Sequence, residues 1–186
     1  TDLRAITSGA LRMQRLVQDL LALSRSGRQK MELRTIPLDR CVDRALDALE
    51  LRIRETAAVI DRPRLPVVKG DLSLLTQLYQ NLIGNALKFH GSDPPHVELT
   101  AEPIEDGWQL GVRDWGIGIK PQYAEQVFAP FRRLHGRSEY EGTGIGLAIC
   151  RRIVERHGGR IWAEPAPERG TIFRFTLKKP RQEDPL

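Results

Sequence analysis

Only two cysteines, Cys41 and Cys150, occur in the 186 residues, far apart and beside apolar neighbours. A disulfide-stapled secreted fold is thereby excluded, and two buried, reduced thiols in a cytoplasmic protein are expected instead. The four histidines, His90, His96, His135 and His157, include no pair at metal-ligand spacing, so no zinc site is expected. No apolar run approaches the roughly 18–20 residues that span a bilayer. No charged-then-apolar secretion signal opens the chain, and membrane contact by this stretch is not expected. Aromatic residues make up only 6%. None interleave with the short basic clusters at Arg132, Arg133 and Arg137, at Arg151 and Arg152, or at Lys178, Lys179 and Arg181. The net charge of +5 is spread among 24 acidic residues. The stacking platform that single-stranded nucleic acid requires is missing, and no nucleic-acid partner is expected. There is no internal repeat. The chain opens at Thr1 without a methionine, which reads as a fragment or a processed piece.

What is present is one domain's worth of ordinary globular composition, 40% hydrophobic and 28% charged, with something small attached. Leu3, Ile6, Ala10, Met13, Val17 and Leu20 alternate spacings of three and four, an a/d heptad pattern. Leu16 and Leu23 widen that stripe toward the face of a helical bundle. A lone helix cannot hide such a stripe, so a partner is expected. Ser26-Gly27-Arg28 breaks the pattern and reads as a hinge. From Met31 onward the texture is mixed. Strands are expected at 32–38, 58–61 and 67–69, with a helix from Leu38 to about Glu55. A second helix spans Asp71 to Phe89, with Asp71 placed to cap it. His96–Pro103 and Trp108–Arg113 read as a strand pair turning through Glu105-Asp106-Gly107. A third helix covers Gly144 to His157 and ends at Gly158-Gly159. Strands at 160–163 and 170–177 close the fold. Without regular βαβ alternation, these elements favour an α+β class, a two-layer sandwich with helices on one face of a mixed sheet.

Three short motifs carry the chemistry. Asn81 and Asn85 lie four apart on one helix face, with Lys88 three further on. An amide oxygen can join a Mg²⁺ shell otherwise made of phosphate oxygens and water, and a lysine ammonium suits phosphate as a point charge. The same amides could merely satisfy neighbouring backbone in a buried helix. Asp114 follows a strand and precedes Gly116 and Gly118. A carboxylate there can accept from the exocyclic amine of adenine, although a plain strand-to-loop turn fits as well. Gly142, Gly144 and Gly146 precede an apolar helix, where bare amides and the helix dipole can face an anion. A glycine hinge is the alternative. No Gly-Lys-Ser/Thr follows, so this is not a Walker loop.

Together the motifs resemble the ATP-binding domain of sensor histidine kinases, in the superfamily shared with DNA gyrase, mismatch-repair ATPases and a heat-shock chaperone. Asn81 to Phe89 resembles that family's asparagine box, Asp114 to Gly118 its first glycine box, and Gly142 to Leu147 its second. Val127-Phe128-Ala129-Pro130-Phe131 resembles the phenylalanine box, and Gly170-Thr171-Ile172-Phe173 the closing strand. The resemblance implies a Bergerat-type fold over residues 29–180, with a tail at 181–186. Residues 1–28 resemble the second helix of a dimerisation and phosphotransfer bundle. The resemblance implies ATP and Mg²⁺ as ligands, Asn85 on the metal with Asn81 in support, Lys88 on phosphate and Asp114 on adenine. It implies further nucleotide contacts at Phe89, Gly116, Gly118, Ile119, Phe131, Gly142, Thr143, Gly144, Gly146, Leu147 and Thr171. Lys120 to Glu141 would form a lid. Arg132, Arg133 and Arg137 are candidates for the γ-phosphate, with solvated lid charges as the other reading.

ATP-hydrolysing relatives carry a glutamate four residues before the metal-binding asparagine. Here that position is Asn81, whose amide cannot act as a general base. Phosphoryl transfer is therefore favoured, with an acceptor histidine as nucleophile and onward transfer to a response regulator. Homodimerisation through the bundle is implied for the full protein. The acceptor motif itself does not occur in this chain, so the chain by itself is expected to bind ATP without phosphorylating itself. A pseudokinase scaffold, or an anti-sigma-like serine kinase module, is the alternative.

Overall fold

The computed structural model describes residues 2–28, 30–132 and 143–181. Helix α1 covers Asp2–Arg28. The heptad pattern correctly marks it as helix, and the helix ends at Arg28, the last residue of the expected break at Ser26-Gly27-Arg28. Its outer stripe is open, with Ile6, Met13, Val17 and Leu20 all exposed, while Leu16, Ala22 and Leu23 pack against the domain core. The flank that widens the heptad stripe is the one that holds α1 to the rest of the chain.

Strand β1 (Arg34–Pro37) pairs antiparallel with β3 (Val67–Gly70), forming a small separate sheet. Between them run α2 (Leu38–Thr56) and β2 (Val59–Asp61). Leu38, Cys41, Val42 and Ala45 form the buried stripe of α2, as their spacing predicts. The helix ends at Ala57, which adopts φ 52° and returns its N–H to Arg54. Strand β1 starts two residues later than expected, because Glu32 instead donates its N–H to the Asp71 carboxylate.

Helix α3 (Leu72–Lys88) is the spine of the domain. Asp71 caps it, accepting from the N–H groups of Ser73 and Leu74 at 3.0 and 3.1 Å. Leu75, Leu78, Tyr79, Leu82 and Ile83 are buried along it, and the Tyr79 ring meets Phe175 edge-on at 5.7 Å. Strands β4 (His96–Ile104) and β5 (Gly107–Asp114) form the expected hairpin around Glu105-Asp106. Helix α4 spans Gly146–Arg156 and is followed by β6 (Ile161–Pro165) and β7 (Thr171–Lys178). The start of α4 lies two residues beyond the expected Gly144, whose φ of 76° has no place in a right-handed helix. Gly158, at φ 72°, ends it as the sequence indicates.

The main sheet runs β2-β4-β5-β7-β6. Only β2 and β4 are parallel, so the sheet is mixed. Helices cover one face, and the predicted α+β two-layer class is observed. Cys41 and Cys150 are both buried free thiols. Burial pushes their pKa values up, to about 11 and about 12 respectively, which suits inert core groups. Among the described residues, no helix is long and apolar enough to cross a membrane.

Candidate functional site

Where α3, α4 and the ends of β5 and β7 converge, the fold leaves a cleft of about 270 Å³. Asn81, Asn85 and Lys88 reach it from α3, as their shared helix face requires. Asp114, Gly118, Ile119, Arg132, Thr143, Gly144, Gly146, Leu147 and Thr171 also line it, and so does Phe89 at the end of α3. Motifs separated by up to ninety residues in sequence thus share one cavity.

Asp114 is the best-defined group. Its side chain is only 9% exposed. Oδ1 accepts from the N–H of Gly116 at 2.8 Å and of Thr171 at 3.3 Å. Among the described residues, no donor is recorded on Oδ2. Burial raises the carboxyl pKa, opposed by those two backbone amides. Such a carboxylate is held rigidly with one oxygen to spare, which suits recognition of a neutral N–H donor. Two glycines make the arrangement possible. A Cβ on Gly116 would overlap the Phe89 carbonyl oxygen, and one on Gly170 (φ 91°) would overlap the Asp114 carbonyl oxygen. Gly116 is not among the residues that line the cleft, and its N–H orients Asp114.

Asn81 and Asn85 have separate roles. The Asn81 amide donates to the Gly146 carbonyl at 3.3 Å, tying α3 to the first turn of α4. Asn85 points to the same cleft. The Lys88 ammonium lies 4.4 Å from the Phe89 ring centre. The ring's negative face steadies a cation at the cleft edge.

The segment after β5 is fixed at both ends. Ile117 donates its N–H to the Phe89 carbonyl at 3.0 Å. Further along, Arg151 of α4 stacks over Phe128 at 4.5 Å and pairs with Glu125 at 2.9 Å. Phe128 in turn meets Phe173 edge-on at 6.1 Å, so the phenylalanine motif contributes core packing through this residue. Phe131 is different: it is 55% exposed, adopts φ 64°, and does not line the cleft. Its N–H instead bonds the Gly144 carbonyl at 3.0 Å. Arg133, Arg137 and Gly142 lie outside the described residues.

Six lining residues are not among the site residues expected from the sequence: Asp19, Gln77 and Ile149, together with Ile117, Val127 and Phe173, which lie within the recognised motifs. Gln77 sits four residues before Asn81 on α3, so the same spacing rule could have found it. No local signal marks Asp19, which arrives from α1 through tertiary packing. Its carboxylate accepts a short hydrogen bond from the Thr143 hydroxyl.

The family profile described as "Histidine kinase-, DNA gyrase B-, and HSP90-like ATPase" matches residues 70–181. That span includes α3, α4, the whole main sheet except β2, and every cleft residue except Asp19. Cyanobacterial phytochrome A of Nostoc sp. (strain PCC 7120 / SAG 25.82 / UTEX 2576) is 45% identical over 169 residues, which are 91% of this chain and 22% of that relative. The chain thus spans less than a quarter of the length of the first curated relatives it matches. Among solved structures, full-length ShkA in complex with AMPPNP superposes with a TM-score of 0.74 at 26% identity, covering 97% of this chain and 40% of that one. Histidine kinase ThkA, in complex with response regulator protein TrrA, also gives 0.74, at 25% identity over 96% of this chain and 51% of that one. With its cleft and its fold both matched, the chain belongs to the histidine kinase-, DNA gyrase B- and HSP90-like ATPase family.

Proposed function

We propose that this chain is the ATP-binding catalytic module of a sensor histidine kinase, handing the γ-phosphate of ATP to a histidine on a separate bundle helix. One observation carries the reading. A buried carboxylate with a spare oxygen and an asparagine-lysine pair share one cleft, next to glycines that open a helix. The carboxylate of Asp114 accepts the exocyclic amine of adenine. Lys88 and the amides around Gly144 and Gly146 attract the phosphates.

The donor set suits a metal ion that arrives on the nucleotide. Asn85 offers one amide oxygen, and among the described residues no three His, Cys, Asp or Glu side chains cluster to hold a metal themselves. Phosphate oxygens and water would complete the shell, and Mg²⁺ there would neutralise charge on the transferred phosphoryl group. Asn81 is bonded to the Gly146 carbonyl and carries no group able to deprotonate water, which favours transfer over hydrolysis. Residues 1–28 fit the role of a bundle helix, since the open stripe of α1 awaits apolar partners, including a second copy in a dimer. A response regulator receiver domain is the onward acceptor, in keeping with the ThkA–TrrA complex. ATP and two reduced buried thiols both suit the cytoplasm.

The test is reconstitution. The chain is mixed with a separately produced bundle helix carrying an acceptor histidine, together with labelled ATP and Mg²⁺. Acid-labile, base-stable phosphate on that helix is expected. Phosphate that survives acid, or no transfer by a chain that binds ATP, would replace this reading with a serine kinase or a scaffold.

A further inference from the structure

Helix α1 lies outside the span matched by the family profile, yet it supplies part of the cleft wall. Three observations fix it there. Leu16, Ala22 and Leu23 pack on the domain core. Gly27 approaches the Arg152 guanidinium of α4 so closely that any Cβ would overlap it. Between these contacts, half-buried Asp19 lines the cleft and accepts the hydroxyl proton of Thr143. Thr143 directly precedes Gly144, so the Asp19 carboxylate sits on the glycine side of the cleft. Its charge opposes that of the cations lining the same cavity, Lys88 and Arg132.

We propose that Asp19 makes the docked position of α1 antagonistic to bound phosphate. The carboxylate occupies one hydrogen-bonding group on the phosphate side, the Thr143 hydroxyl, and adds a negative charge where a polyphosphate would bring several more. Two like charges a few ångströms apart in a partly dry cleft repel strongly. Nucleotide and docked α1 therefore compete, and the competition grows with the charge of the ligand. Because coupling free energy is reciprocal, filling the cleft loosens α1 by the same factor that docked α1 weakens the ligand. A bundle helix could in this way sense the phosphorylation state of the nucleotide beneath it. The proposal rests on the nucleotide reading of the cleft.

Asp19→Asn tests it in the full chain. Asparagine keeps the size and the acceptor for Thr143 while removing the charge, and amide hydrogen exchange along α1 checks that the helix stays docked. Adenosine, ADP and a non-hydrolysable ATP analogue are titrated into both proteins by calorimetry, without metal and with Mg²⁺. Without metal, the substitution is expected to tighten the ATP analogue by about tenfold, ADP by less, and adenosine not at all. Mg²⁺, by masking phosphate charge, shrinks the gain. Equal gains for all three ligands would show an effect indifferent to phosphate charge, such as a general loosening of α1, and would overturn the proposal. So would no gain, or a loss with Mg²⁺ that made Asp19 an aid to the metal. If the folded wild-type chain binds none of the three, the nucleotide reading itself fails and takes the proposal with it. Binding by wild type with an unchanged series in the variant sinks only the proposal.

Discussion

Replacing Asp114 with asparagine should separate recognition from folding. The two bonds that hold the side chain both end on Oδ1, from Gly116 and Thr171, and an asparagine oxygen can accept both. The amide nitrogen then takes the place of Oδ2 and presents a donor where adenine's amine also needs an acceptor. Losing a hydrogen bond to a charged group is worth about 1.5–3 kcal/mol, so affinity for an ATP analogue should fall by roughly 10- to 140-fold. Guanine offers a carbonyl at the matching position, so the GTP analogue should lose less or gain, and base preference should collapse. Stability should move the other way. Burial raises the Asp114 pKa above its ordinary 3.8. Between those two values the folded state holds the proton more firmly than the unfolded chain does. Ionisation therefore subtracts from stability as pH rises through that window, and the subtraction persists at neutral pH. The neutral asparagine escapes it, and the ligand-free variant should melt no lower than wild type. Calorimetric titration with both analogues and a thermal melt without ligand supply the readings. An unchanged preference for ATP over GTP in a folded variant would refute the role of Asp114. A large drop in melting temperature would refute the account of its burial.

Asn85→Ala should weaken nucleotide binding by about tenfold or more in Mg²⁺ and much less without it; equal losses in paired titrations would indicate damage to α3 instead. His157 is buried, with Nδ1 2.7 Å from the Ile153 carbonyl oxygen and Nε2 accepting the Asp71 N–H at 3.0 Å. Desolvation lowers its pKa below the ordinary 6.5, so the unfolded chain takes up the proton first. Stability should be full above about that pH and decline as pH falls below it, and His157→Gln should flatten this part of a urea-midpoint profile. Gly170→Ala forces a Cβ into the Asp114 carbonyl oxygen at φ 91°; a loss of at least about 2 kcal/mol is expected by denaturant titration, and a neutral result would show that β7 can shift without disturbing the cleft.

Much of this was legible because the signals are local. Asp71 announces the start of α3, Gly158 the end of α4, and the Glu105-Asp106 turn the β4–β5 hairpin, each by the chemistry of one or two residues. The cleft was legible for a related reason: i,i+4 spacing puts Asn81 and Asn85 on one face regardless of tertiary context. What escaped is what packing decides. Nothing near Val59 says that β2 will join β4 in parallel, or that β1 and β3 will pair apart from the main sheet. The docking of α1 also escaped, because side chains on its flank, rather than any local signal, hold the helix against α4 and the core. Asp19 entered the cleft by that route. Gly116 and Phe131, expected as ligand contacts from their motifs, are not among the lining residues, and their backbone N–H groups brace neighbouring segments.

The bond from Thr171 to Asp114 joins residues 57 positions apart, and β7 is an interior strand, lying between β5 and β6. On the ribosome, α3, the β4–β5 hairpin and α4 can all emerge before either Thr171 or Phe173 exists. Until β7 slides in beside β5, one edge of β5 is bare and the Asp114 carboxylate lacks one of its two amides. The nascent chain therefore carries most of its recognition motifs without a pocket, and it becomes competent to hold a nucleotide only when β7 inserts between β5 and β6.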